Sequence, residues 1–140
     1  LPMRSLMDVG SGGGLPAVVI AVCFPELKVL SVDAVAKKTT FITQAALELG
    51  LKNLRAKHSR VENIKEKFDV VTCRAFSSLK DFVSLTESNI GEPGMWLAMK
   101  GRRPDAELQE LPSFAEVTEV IDLHIPGLGE ERSVVLMRHI

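Results

Sequence analysis

Short apolar runs alternate with stretches of helical periodicity along almost the whole chain. Leu6-Met7 is a brief apolar run closed by Asp8, and Leu15–Cys23 is a second one stopped by Pro25. With the glycines between them they predict strand, turn and helix. Lys28–Asp33 reads as a buried strand. Phe41, Ile42, Ala45, Ala46 and Leu49 recur at helical spacing, which predicts a helix over Ala36–Leu49 ended by Gly50. Leu54–His58 and Phe68–Cys73 are strands, the second rich in β-branched residues, and Leu79–Ser88 is helical. A turn at Gly91-Glu-Pro-Gly94 leads into a fifth strand, Met95–Met99, and Pro104–Leu111 forms a short acidic helix. Val117–Leu123 and Arg132–Arg138 are two further strands. The loop joining them holds Pro126, Gly127 and Gly129, and suits a long antiparallel hairpin. Five strands alternating with helices, then a hairpin, predict an α/β fold with an open, mostly parallel seven-stranded sheet.

In such a sheet, ligands bind beyond the carboxyl ends of the parallel strands. The segment there after the first strand is Asp8-Val-Gly-Ser-Gly-Gly-Gly14. A glycine turn lets a ligand lie against bare backbone at a helix start, where unpaired N–H groups favour negative charge. The dinucleotide fingerprint fails, because its third glycine would fall on Leu15. A P-loop fails too, since no Gly-Lys-Ser/Thr follows. What remains is an acid two residues ahead of alternating glycines: Asp8, Gly10, Gly12 and Gly14. That carboxylate would repel a pyrophosphate and suits an ammonium or sulfonium, as in S-adenosylmethionine. Asp33 ends the next strand, where an acid can accept hydrogen bonds from ribose hydroxyls. Its alternative role is N-cap of the following helix.

The 140 residues predict a single domain, 1–140. No run of about 18 apolar residues predicts a membrane span, and no signal peptide is evident. Cys23 and Cys73 lack metal or disulfide spacing and are expected as buried, reduced core residues in a cytoplasmic protein. Leu1 is not an initiator methionine and the first strand begins almost at once, so an N-terminal segment is expected to precede it. A monomer is favoured, though the residues leave oligomeric state open. Net charge is −1, and Pro104–Glu131 holds eight acids and no Lys or Arg. The cations fall where strands should end: Lys37 and Lys38 near Asp33, His58 with Arg60, then Arg74, then Lys100, Arg102 and Arg103. Each alone is ordinary surface charge; four successive strand ends suggest a polyanionic substrate such as nucleic acid.

Asp8-Val-Gly-Ser-Gly-Gly-Gly-Leu-Pro16, Ser59-Arg-Val-Glu62, Cys73-Arg-Ala-Phe76, Ala98-Met-Lys-Gly101 and Gly129-Glu-Glu-Arg132 together resemble the bacterial ribosomal small-subunit methyltransferase G family, also called glucose-inhibited division protein B. The likeness covers essentially the whole chain. It implies a class I S-adenosylmethionine-dependent methyltransferase (Rossmann-like) fold. The implied activity is methyl transfer to N7 of guanine 527 in 16S ribosomal RNA, with S-adenosylhomocysteine as product and no metal. The partner it implies is 16S RNA or the small subunit, with no membrane. The family normally carries an additional helical N-terminal segment. The resemblance assigns Gly10, Leu15, Val61, Glu62 and Arg74 to the cofactor, with Glu62 alternatively an ordinary exposed acid near a helix start. Asp8, Gly12, Gly14 and Asp33 join them on the general methyltransferase pattern.

Guanine N7 has a lone pair and no proton to lose, so no general base is expected, and the scattered His58, His124 and His139 have no catalytic part. Methyltransferases acting on exocyclic amines often carry Asn/Asp-Pro-Pro-aromatic after the fourth strand; here the slot holds Arg74-Ala-Phe76. An arginine bidentate on O6 and N7 would block attack. Arg74 is therefore expected to position substrate through O6 alone or a phosphate, or to hold the cofactor carboxylate; its alternative is a structural salt bridge. Phe76 either stacks on a splayed-out base or belongs to the core. Lys100, Arg102 and Arg103 are candidate phosphate contacts. Two other readings stay open on the residues: a class I methyltransferase for a small molecule or protein, and a non-catalytic S-adenosylmethionine sensor.

Overall fold

A computed structural model describes residues 3–10, 16–74, 78–124, 126–127, 129 and 131–140. In chain order the elements are β1 (Ser5–Val9), α1 (Ala17–Cys23), β2 (Lys28–Asp33), α2 (Ala36–Leu49), β3 (Leu54–His58), β4 (Phe68–Cys73), α3 (Leu79–Thr86), β5 (Ile90–Lys100), α4 (Asp105–Gln109), β6 (Ala115–Leu123) and β7 (Arg132–His139). Single 3-10 turns follow β3 at Val61–Asn63 and α3 at Glu87–Asn89.

The strands form one seven-stranded sheet in the order β3-β2-β1-β4-β5-β7-β6. Neighbours among β1 to β5 are parallel, while β7 runs antiparallel between β5 and β6. The anticipated α/β architecture with a terminal hairpin is therefore present. The chain leaves β1 in one direction through β2 and β3, then returns to β4 on β1's other side. That reversal is a topological switch point, where open α/β sheets take their ligands.

Alternation of side chains sorts the core into two layers. Met7, Leu30, Val71 and Trp96 stand in register and are buried on the face covered by α3 through Leu79, Phe82 and Val83. Leu6, Val29 and Val70 point the other way, with Ala17 and Ala21 of α1 and Ile42 of α2. Each fully buried large side chain contributes roughly 1.5–3 kcal/mol. Trp96 also has its polar edge satisfied: Nε1 donates to Thr86 Oγ1 at 2.8 Å, and Thr86 donates to the Phe82 carbonyl at 2.6 Å.

Three expectations need correction. Cys23 is exposed, whereas Cys73 is buried. The seven-residue α1 buries only Ala17 and Ala21, and position 23 lies roughly 200° further round the helix from Ala21. Phe41 and Leu49 share the apolar spacing of α2 yet are exposed, since Thr39 and Ile42 are the residues it buries. Finally, Gly91–Gly94 does not precede the fifth strand but lies within it. β5 begins at Ile90 opposite Phe68, and the next pair is Val70 with Met95, so the four residues 91–94 form a bulge where a turn was expected. Gly94 is obligatory there: an added Cβ would sit 2.5 Å from the Gly91 carbonyl oxygen and 2.9 Å from Ile90 Cγ2.

Candidate functional site

The end of β1 lies at the switch point. Asp8 is fully buried (0 % exposed), one residue before the strand ends. Its register partners are Ser31 on β2 and Thr72 on β4, both also buried. Three polar side chains thus form a band across three strands in otherwise apolar company, on the face shared with α1. Gly10 then turns the chain away from the sheet at φ 68°, with its N–H donating to the Val32 carbonyl at 2.8 Å. No atom of the described residues lies within 4 Å of where its Cβ would stand, so the left-handed backbone calls for glycine.

Asp33 ends β2 beside this turn. Oδ1 accepts the Val35 N–H at 2.8 Å, while Oδ2 is buried and has no hydrogen-bond partner among the described residues. Asp33 is not the helix cap, because α2 starts after Val35. A buried carboxylate oxygen lacking a donor is costly, and a ribose hydroxyl is a donor of the right kind. The loop after β3 is drawn to the same place: Ser59 N–H donates to the Asp33 carbonyl at 3.0 Å, and His58 Nε2 lies 3.0 Å from the Ala34 carbonyl. Val61 is buried in the core behind it and Glu62 is exposed. The residues present therefore fit an adenosine-type ligand with a cationic group: Asp8 and Gly10 at the β1 end, Asp33 at the β2 end, and Val61 and Glu62 alongside.

Arg74 directly follows β4, is exposed, and makes no hydrogen bond or ion pair among the described residues. The cations after β5 are differently placed. Lys100 Nζ lies 2.9 Å from Glu107 Oε1 and is largely buried. Arg102 stands 3.6 Å from Glu131, and Arg103 contacts Asp105 at 2.9 Å and Asp122 at 3.9 Å. The acidic stretch read from the sequence thus sits against the basic one. Lys37, Lys38, Arg60 and Arg74 carry no such partner among the described residues. Since β2 to β5 run parallel, all these strand ends lie on one rim.

Gly12, Gly14, Leu15 and Phe76 lie outside the described residues. Sequence reasoning missed Ser31 and Thr72, whose only signal was a hydroxyl inside each of two apolar strands. It also missed Glu107, which gave no signal. Cys73, at the β4 end, has its thiol pushed up to about 12, chiefly by burial; Lys100 pulls it down, and Asp8 and Glu107 add to the rise. It stays a neutral thiol and packs as a small hydrophobe. Among the described residues no group of His, Cys, Asp and Glu could hold a metal, and no helix is long and apolar enough to cross a membrane.

Known structures share this architecture. TrmN from Thermus thermophilus superposes with a TM-score of 0.81 at 18% identity, covering 99% of this chain and 45% of that one. A SAM-dependent methyltransferase from Aquifex aeolicus gives 0.74 at 16%, covering 98% and 82%. The fold is that of the class I S-adenosylmethionine-dependent methyltransferases. Sequence similarity narrows the class. The family model described as rRNA small subunit methyltransferase G matches residues 2–136. Ribosomal RNA small subunit methyltransferase G of Paracidovorax citrulli is 58% identical over 133 residues, covering 95% of this chain and 55% of the relative. The Methylibium petroleiphilum protein of that name is 52% identical over 134 residues, covering 95% and 61%. The chain belongs to the ribosomal RNA small subunit methyltransferase G family, and spans little more than half the length of these curated relatives.

Proposed function

We propose that this chain carries the methyl-transfer site of a 16S ribosomal RNA methyltransferase acting on N7 of guanine 527. The observation that carries the reading is the pair of buried acids, Asp8 and Asp33, at the ends of adjacent strands on either side of the Gly10 turn. S-adenosylmethionine, when bound, supplies a methyl group on a positively charged sulfur. Asp8 provides negative charge near the cationic end of the ligand, Gly10 admits it against backbone, and Asp33 Oδ2 accepts from the ribose. Glu62 and the Val61 backbone stand where an adenine edge is read.

The protein's task in a direct displacement is alignment and exclusion of water, and good alignment supplies about 7–11 kcal/mol of barrier lowering. Guanine N7 has no proton to give up, so no residue is assigned as base. Arg74, exposed at the β4 end and unclaimed by any described acid, holds the substrate through O6 or a phosphate. Arg102 and Arg103 remain available to phosphates by exchanging their exposed carboxylate partners, pairs worth about 0–1 kcal/mol each. Lys100 is the least available, because its partner is half-buried. Phe76 is assigned to the target base on the family pattern alone.

The pairing of the β5-end cations favours one alternative, a smaller and less charged substrate. Salt separates the two readings, since RNA affinity falls steeply as salt rises. The direct test incubates the whole protein with labelled S-adenosylmethionine and unmodified 16S RNA or small subunits, then maps the label. Label on N7 of guanine 527 is the expected result. Label at a different nucleotide, or a protein that binds the donor and labels no RNA, contradicts it.

A further inference from the structure

Glu107 lies on the five-residue α4, and a single carboxylate oxygen serves two partners. Oε1 accepts from Lys100 Nζ at 2.9 Å, at the last residue of β5, and from the Leu79 backbone N–H at 3.0 Å, at the first residue of α3. The two side chains are 14% and 30% exposed, so this pair is screened less than those of Arg102 and Arg103. The Leu79 N–H has no partner inside its own helix and belongs to the positive end of the helix dipole, which favours an anionic acceptor. Ser78 Oγ accepts from Asp81 N–H at 3.1 Å and completes the start of α3.

Arg74 lies between two fixed points. Upstream, Cys73 is held in register with Val9 and Ala98. Downstream, Leu79 is held by Glu107, which also grips the end of the neighbouring strand. One strand end and one helix start are thus tied through one atom, and in the sequence Arg74 stands between the end of β4 and that helix start. The same carboxylate neutralises Lys100, a cation near enough to Cys73 to pull its thiol down.

We propose that Glu107 is a positioning residue for methyl transfer: by joining the end of β5 to the start of α3, it sets where Arg74 stands on the rim. The inference rests on the functional reading above. In the whole protein, Glu107→Ala should lower kcat for RNA methylation by about tenfold or more, while the Kd for S-adenosylmethionine stays within about twofold. Glu107→Gln should restore most of the rate, because its amide oxygen still accepts from Leu79. A double-mutant cycle with Arg74→Ala reads the route of action. With Arg74 already removed, Glu107→Ala should cost less than about twofold more. Losses that multiply overturn the proposal, as does a wild-type kcat in Glu107→Ala. Should that variant not fold, Lys100→Met removes the other partner and must show the same masking by Arg74→Ala. Amide exchange at Leu79 reads the tie without RNA: it should accelerate in Glu107→Ala, and an unchanged rate overturns the inference. A wild-type protein that binds the donor but labels no RNA overturns the functional reading, and exchange at Leu79 then decides the tie by itself.

Discussion

Asp33 and Arg74 give the sharpest expectations among single residues. Asp33→Asn keeps an acceptor for the Val35 N–H but removes the charge from the second, buried oxygen. Affinity for S-adenosylmethionine measured by calorimetry should fall about tenfold or more, because charge-assisted hydrogen bonds are the strong ones. Equal affinity would take Asp33 out of the ribose contact. Arg74→Ala removes an exposed side chain with no ion pair among the described residues. Such surface changes alter stability by about 0.5 kcal/mol or less, so Tm should barely move while methyl transfer drops at least about tenfold. Unchanged turnover would remove Arg74 from the site. Both residues were legible in the sequence because a charge at the end of an apolar strand is conspicuous. Ser31, Thr72 and Glu107 were not. Hydroxyls are common within strands, and Glu107 acts on partners 7 and 28 positions away, which no local pattern reports.

Among the elements, β5 and β7 carry predictions of their own. Gly94→Ala forces a methyl group against the Gly91 carbonyl and Ile90 within the bulge. Denaturant unfolding should show a loss of about 1–3 kcal/mol, the usual cost of overpacking; no loss would mean the bulge relaxes freely. At the end of β7, His139 Nε2 lies 2.8 Å from Glu87 Oε2, and its ring stacks on Phe114 with centroids 5.4 Å apart. The hydrogen bond to Glu87, then that to the Ile140 carbonyl, raise its pKa above the ordinary value of 6.5. A raised pKa stabilises the fold fully below 6.5, and that contribution is lost as pH climbs through the higher folded value. The Tm gap between wild type and His139→Gln should therefore be widest near pH 6 and close in alkali; a gap independent of pH would refute the assignment. Strand order of appearance and helix spacing were readable because periodicity is local. The bulge at 91–94 was not, because glycine and proline mark turns and bulges alike and only the pairing with β4 separates them. Exposure of Phe41 likewise depends on where α2 lies against the sheet.

For the molecule as a whole, topology gathers the cations of four strand ends onto one rim, and the acidic stretch from Pro104 to Glu131 answers part of it. Lys37, Lys38, Arg60 and Arg74 have no acid partner among the described residues, and the proposed RNA substrate would meet them at the β2, β3 and β4 ends. Three phosphate contacts there predict a slope of about −2 to −3 in log affinity against log salt for RNA binding. A flat dependence would favour the smaller substrate. The sequence announced the rim because parallel strands put their carboxyl ends together; its internal pairing depended on the hairpin folding back, which spacing alone does not set. Beneath all of this lies one claim, that the turn after β1, with buried acids at the ends of β1 and β2, grips a cationic methyl donor. Calorimetric titration of the whole protein with S-adenosylmethionine, S-adenosylhomocysteine and NAD tests it most directly. The account predicts heat with the first two, weakened by Asp33→Asn, and none with NAD. Binding of NAD in their place would contradict it.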